Sequence, residues 1–200
     1  LYTLVAPYFV SYGIHSRNRR FAAGLKAHFA GENHSCAHPR VALFTDTFEE
    51  INGVALTLNK QAQMAERSGK ELTIVTCPTH NISGFFSPRV AHFQPVAIHH
   101  LPEYPEQKLF IPPLLEILQF CYERNFTHIH AATPGPLGLT ALAIARIMQL
   151  PFYTTYHTAM PQYARYLTND TALEDLTWRY ILWFYNQANL IFSPSRSTSA

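Results

Sequence analysis

From Val41 onward, short apolar runs alternate with helical patterns, and that alternation constrains the fold more than any other feature of the chain. The run "VALFT" (41–45) reads as a strand, and Val54, Leu58, Ala62 and Ala65 then recur on one face of a helix over 54–67. Glu71–Thr76 is a second strand, closed by the turn-rich "CPTHNISG". Val96–Leu101 is a third, followed by the proline-rich "PEYPEQKLFIPP". Pro112 and Pro113 suit the first turn of a helix through Glu123, with Leu114, Leu115, Leu118 and Tyr122 turned to a core. The strand "THIHAA", the apolar helix "PLGLTALAIARIMQ" and the strand "PFYTTY" come next. A helix from a cap at Asp170 through Ala188 and the strand "NLIFS" complete the pattern. Strands joined through helices require right-handed crossovers, hence a parallel sheet covered on both faces. The expected class is α/β, a doubly wound parallel sheet over residues 41–200.

Residues 1–40 read differently, as a segment or linker of unknown role. An apolar start leads to a basic cluster (Arg17, Arg19, Arg20), a short helical pattern at Phe21–Phe29 and a breaker-rich stretch at Gly31–Pro39. Three cations are too few to specify phosphate or anionic lipid, so the cluster reads as a solvated helix start. Charged residues are only 14% of the chain, which suits a large buried fraction or a face presented to a partner. The formal charge of +2 is too small to point to nucleic acid. Cys36, Cys77 and Cys121 form no CxxC pair, so a reducing, cytoplasmic setting is expected rather than a disulfide framework. No apolar run is long enough to span a bilayer. The aromatic "RYILWFYNQA" helix reads as core, being apolar almost all round. The first residue, Leu1, and the last stretch, "SPSRSTSA", read as cuts from a longer polypeptide.

In a doubly wound domain, ligands gather at the carboxyl ends of the strands. That selects "TDTFEEINGV", "CPTHNISG", "AATPGPLG", "TYHTAMPQY" and "SPSRST" as the working edge. In the first loop, Asn52, Gly53 and Val54 open a helix whose free N–H groups could meet one phosphate. A lone glycine does not permit the approach along a pyrophosphate that GxGxxG allows, and the strand over 71–76 ends without an acid for a ribose hydroxyl. An ordinary turn explains Asn52-Gly53 equally. His128 and His130 share one strand face, and Pro134 to Gly138 form a rigid turn that either aims backbone donors at a ligand or simply stiffens the connection. His157 follows its strand directly, beside Thr155, Tyr156 and Thr158, where it can hydrogen-bond a sugar hydroxyl or a developing negative charge. The histidines lack HxxxH spacing and a nearby Asp or Cys partner set, so no metal is expected. No GxSxG occurs.

Taken together, "VALFTDTFEEINGVALTL", "HIHAATPGPLGLTALAIARIMQLPFYTTYHTAMPQY" and "IFSPSRST" resemble the N-terminal half of a GT-B glycosyltransferase. The group is the retaining glycosyltransferase family 4 (glycosyl transferase group 1), in the branch of lipid mannosyl- and sulfoquinovosyltransferases. The resemblance covers most of residues 41–200 and leaves residues 1–40 outside. It implies the Rossmann-like half of a GT-B fold, mainly holding the acceptor, facing a C-terminal domain that binds a nucleotide-diphosphate sugar. It places Asn52, Gly53 and Val54 against the donor diphosphate and His157 near the reacting carbon. It puts Asp46, His130, Thr133, Gly135, Tyr156, Thr158, Tyr163 and Ser195 in the cleft wall, on the acceptor side. No cofactor or metal is implied; the nucleotide sugar is a co-substrate, and its leaving diphosphate deprotonates the acceptor. A lipid or saccharide acceptor follows, with peripheral attachment at the inner face of a membrane where the acceptor is a lipid.

Two departures qualify this. Relatives often carry an acid after Tyr-His-Thr, where this chain has Ala159, which puts one sugar or acceptor hydrogen bond in doubt. The family's paired donor glutamates and its diphosphate-clamping basic pair fall beyond Ala200, so the expectation is an acceptor-side fragment, inactive alone. The alternatives are a non-catalytic Rossmann-like module binding a nucleotide or an anion, and a nucleotide-sugar epimerase.

Overall fold

In this computed structural model residues 2–29, 38–48, 53–77, 89–101, 104–157 and 171–193 are described. A parallel six-stranded sheet forms the centre. Its strands are β1 (Arg40–Phe44), β2 (Glu71–Thr76), β3 (Val90–His92), β6 (His128–Ala131), β7 (Phe152–Thr155) and β8 (Leu190–Phe192), in the order β3-β2-β1-β6-β7-β8. Strand order therefore runs outward in both directions from the β1–β6 pair, the signature of a doubly wound sheet. The helices are α1 (Tyr2–Phe29), α2 (Gly53–Arg67), α3 (Leu114–Glu123), α4 (Pro136–Met148) and α5 (Thr171–Tyr185).

Alternation along the strands divides the core. Ala42, Phe44, Val75, Ile129, Ala131 and Phe152 point to one face, where they meet Ile117, Leu118 and Cys121 of α3, Leu137, Ala141 and Ile144 of α4, and Ile181 and Phe184 of α5. Leu43 and Ile74 point to the other, under Leu58 and Ala62 of α2. In register with Leu43, His130 shares the α2 face, and Tyr153 follows it one strand further out.

Three expectations are corrected. The strand expected at Val96–Leu101 is β4 (Ala97–Leu101), which leaves the sheet and pairs antiparallel with β5 (Tyr104–Ile111). The third sheet strand is instead Val90–His92, too short to show a period. The proline-rich stretch after β4 contributes β5 itself; Pro105 lies in this two-stranded ribbon, where edge strands tolerate proline. The α5 helix is not buried all round: Ile181, Phe184 and Tyr185 are inside, while Leu176, Leu182 and Trp183 are exposed and Arg179 pairs with Asp175 at 2.9 Å. It packs as an outer layer with one face on the sheet.

The third correction concerns the amino-terminal segment. The helix expected only at Phe21–Phe29 runs from Tyr2, and it docks on the carboxyl end of α4. Ser16 Oγ donates to Met148 O at 3.0 Å, and Arg20 donates to the same carbonyl at 3.0 Å. Arg19 donates to Tyr122 O at 2.7 Å and to Asn125, with its guanidinium 3.9 Å from the Tyr122 ring centre. Two of the three basic residues therefore satisfy carbonyls left over at helix C-termini, where cations are favoured. Helix propensity missed α1 because tertiary contacts stabilise it.

Gly13 permits this approach: a Cβ there would stand 2.9 Å from Ile147 O, a backbone atom. Gly24 on the same helix has open space around it. Gly→Ala within a helix gains about 0.5–1 kcal/mol from propensity, and overpacking costs about 1–3 kcal/mol. We predict opposite signs in urea denaturation: Gly13→Ala lowers the midpoint, and Gly24→Ala raises it slightly.

Candidate functional site

Where the strand order reverses, β1 leads to α2 on one face and β6 leads to α4 on the other, so a crevice opens above their carboxyl ends. The residues just past β1 and β6 close its floor. Asp46 lies at the centre. Its Oδ1 accepts from Leu137 N at 2.9 Å and its Oδ2 from Thr133 Oγ1 at 2.6 Å, while its own N–H donates to Thr133 Oγ1 at 3.1 Å.

The local sequence explains the need. Helix α4 starts with Gly135 at the N-cap, which has no side-chain acceptor, and Pro136 next, which has no N–H. The first free donor is Leu137 N, and a carboxylate from the neighbouring strand end caps it across 91 positions of sequence. Gly135 must be glycine because a Cβ would overlap the Asp46 carboxylate, and a Cβ on Gly138 would overlap Thr133 O. Tyr180 of α5 donates to Pro134 O, securing the same turn; burial and the Asp46 charge push its hydroxyl up to about 12. Asp46, Thr133 and Gly135, all expected in the cleft wall, thus form one knot. Tyr180 was not foreseen, although a helix start lacking its own cap was the legible clue that an outside acceptor was needed.

Histidines form the second group. His130 Nε2 and Thr155 Oγ1 are hydrogen-bonded at 2.8 Å, and the His130 ring stacks on Phe192 with centroids 5.5 Å apart and 17° between planes. Burial, helped by neighbouring His157, depresses the His130 pKa to about 4. His157 is half-buried two residues beyond β7, and burial lowers its pKa too. Both are therefore neutral at pH 7, able to donate from one ring nitrogen and accept at the other. Tyr156 continues the ladder, donating its N–H to Phe192 O at 2.9 Å, and its ring meets Tyr185 edge-on. His128 bonds Thr127 and leans on Tyr153, one turn of the pleat away from the edge.

The third group is the start of α2. Gly53 is exposed with open space where a Cβ would be, whereas the Val54 side chain packs with Phe48 against the cluster that includes Ala132. That packing sets the first turn of α2 beside the end of β6. Asn52, Thr158, Tyr163 and Ser195 lie outside the described residues, as do Ala159, Asp170 and most of the loop after β2. Cys77 follows β2 directly, and burial with Asp46 and Glu116 nearby pushes its thiol up to about 12, so it offers no thiolate nucleophile.

Two measurements follow. Asp46→Ala should cost about 2–3 kcal/mol in chemical denaturation, the range for losing hydrogen bonds to a charged group. Asp46→Asn should cost less, since its Oδ1 still accepts from Leu137. For His130, the folded pKa lies below the usual 6.5. The unfolded chain therefore takes up a proton between about pH 6.5 and 4 that folded His130 refuses, and stability falls as pH drops through that window. His130→Gln should flatten that part of the stability-versus-pH curve.

The family model described as Glycosyltransferase Family 4 matches residues 51–200. Alpha-monoglucosyldiacylglycerol synthase of Streptococcus pneumoniae (strain ATCC BAA-255 / R6) is 24% identical over 160 residues, covering 78% of this chain and 35% of the relative. Sulfoquinovosyl transferase SQD2 of Arabidopsis thaliana is 26% identical over 159 residues, covering 78% of this chain and 30% of the relative. The chain thus spans about a third of the length of these curated relatives.

Proposed function

Because this chain belongs to glycosyltransferase family 4, we propose that it forms the acceptor-side domain of a retaining enzyme moving a hexose from a nucleotide-diphosphate sugar to a lipid or saccharide. The observation that carries this reading is the unequal state of the two helix N-termini at the switch point. The α4 terminus is already occupied by the Asp46 carboxylate, which would repel a second anion. At the start of α2, Gly53 is exposed, with nothing within 4 Å of where a Cβ would stand. One open terminus provides a single contact to a diphosphate whose remaining charge must be met by another domain. The relatives, about three times as long, have room for one.

Transfer in this reading asks the chain for positioning rather than for a nucleophile or a resident metal. His157, uncharged at neutral pH, hydrogen-bonds a hydroxyl of the donor sugar or the acceptor and holds the acceptor oxygen on the leaving-group face. The bond from the anomeric carbon to the diphosphate oxygen breaks, the acceptor oxygen bonds that carbon from the same face, and its proton passes to the departing diphosphate. The developing charge there is stabilised partly by N–H groups of α2. The name of the streptococcal relative refers to a glucosyldiacylglycerol, which favours a lipid acceptor.

We predict that His157→Ala lowers kcat of the whole enzyme by about 100-fold or more, measured by radiolabelled sugar transfer. Gly53→Asp, which has room to fold, should mainly raise KM for the donor. The 200-residue chain alone should show no robust transfer, and it should bind uridine or guanosine diphosphate no tighter than about millimolar by calorimetry. Micromolar binding would favour a stand-alone nucleotide module, and efficient turnover by the chain would overturn the divided site.

A further inference from the structure

Arg17 is the one arginine of the amino-terminal basic cluster that meets no carbonyl or carboxylate among the described residues. Arg19 and Arg20 are tied to carbonyls of α3 and α4. Arg17 lines instead a cleft of about 300 Å³ between α1 and the carboxyl-terminal end of α4. Phe9, Val10 and Ile14 wall the cleft from α1, and Ile147 walls it from α4. Positions 9, 10, 14 and 17 recur at helical spacing, so one face of α1 follows the cleft for two turns. Val10 and Ile14 are 58% and 44% exposed, so these apolar walls can be reached from solvent. Arg146 supplies a second guanidinium, held in place by donating to Gln187 Oε1 at 3.1 Å. Among the described residues no acid lines the cleft. The carbonyl end of α4, which would repel an anion, is covered: Met148 O accepts from Ser16 and from Arg20, both at 3.0 Å.

We propose that this cleft is a second ligand site, which takes a dissolved aromatic anion: a flat apolar ring system carrying one acidic group. The ring lies between the apolar side chains of the two helices, and the anionic group meets Arg17 and Arg146. Two cations without an acid select negative charge. The apolar walls select against a bare inorganic anion, whose hydration they cannot replace. A cleft of about 300 Å³ is at the lower end for small-molecule sites and holds about ten heavy atoms at roughly 30 Å³ each. A ring suits it better than a flexible chain, because guanidinium planes stack on aromatic faces and a rigid body loses less freedom on binding. The site is separate from the crevice: α4 is 13 residues long, so its capped first turn lies about 20 Å away. The α1 wall also precedes residues 51–200, so it stands apart from the part that the family model matches. Bound ligand touches α1 and α4 together and so holds the amino-terminal helix against its neighbour.

The experiment is isothermal titration calorimetry of the 200-residue chain with naphthoate, naphthalenemethanol and acetate. Naphthoate should bind at sub-millimolar concentration, the neutral alcohol about tenfold or more weaker, and acetate not measurably. Arg17→Gln with Arg146→Gln should weaken naphthoate about tenfold or more and leave the alcohol as it was. Val10→Trp, which fills the cleft from an exposed position, should abolish binding of both. Phe21→Ser with Leu25→Ser, on α1 but outside the cleft, should change neither. Unchanged far-ultraviolet circular dichroism checks that each variant folds, and slower hydrogen exchange of α1 amides with naphthoate locates the ligand. Acetate binding as tightly as naphthoate, the alcohol binding as tightly as the acid, naphthoate binding that survives Val10→Trp, or no binding at millimolar naphthoate would overturn the proposal.

Discussion

One carboxylate holds the two halves of the sheet together at the point where they diverge. Asp46 leaves the end of β1 and caps a helix that begins after β6, so the central strand pair is joined by a charged cap as well as by its ladder. The turn that opens α4 takes its position from that cap. Thr133 is oriented by it, Gly135 is small because of it and Gly138 because of Thr133 O, and Tyr180 closes the turn from the outer layer. A charge-assisted bond in a half-buried site is roughly twice as strong as a neutral one, which suits a joint that must hold without a local capping residue.

The same bond divides labour between the two helices that face the crevice. Both present free N–H groups and a positive dipole end. The chain fills the α4 terminus with its own carboxylate, while Gly53 has open space where a Cβ would stand at the start of α2. A module built to hold a nucleotide by itself would be expected to keep both available. The uncharged histidines fit this economy: His130 is committed to Thr155 and Phe192, and it supports the strand end from which His157 emerges.

The fold was legible wherever pattern and length agreed. The strands at 41–45, 71–76, 128–131 and 152–155 and the helices α2, α3 and α4 follow directly from apolar periodicity. The misreadings all have a tertiary cause. β3 is three residues long, β5 carries a proline that only an edge tolerates, and α1 depends on carbonyls supplied by distant helices. At the site, glycine and proline marked the rigid turn, because backbone constraint is written in residue type. What they did not reveal was the partner: Asp46, expected in the cleft wall, bonds Thr133 and Leu137. A side chain's contact across 91 positions leaves no local trace.

That separation has a consequence for how the cleft comes into being. Bringing Asp46 to Leu137 closes a loop that contains α2, β2, the β4–β5 ribbon and α3, and loops of such length form only after their contents are ordered enough to lower the entropic cost. The capped turn is therefore expected among the last features to appear as the chain folds. A destabilising change far away, in β2 or α3, would then be felt first as a cleft that assembles slowly rather than as a sheet that fails.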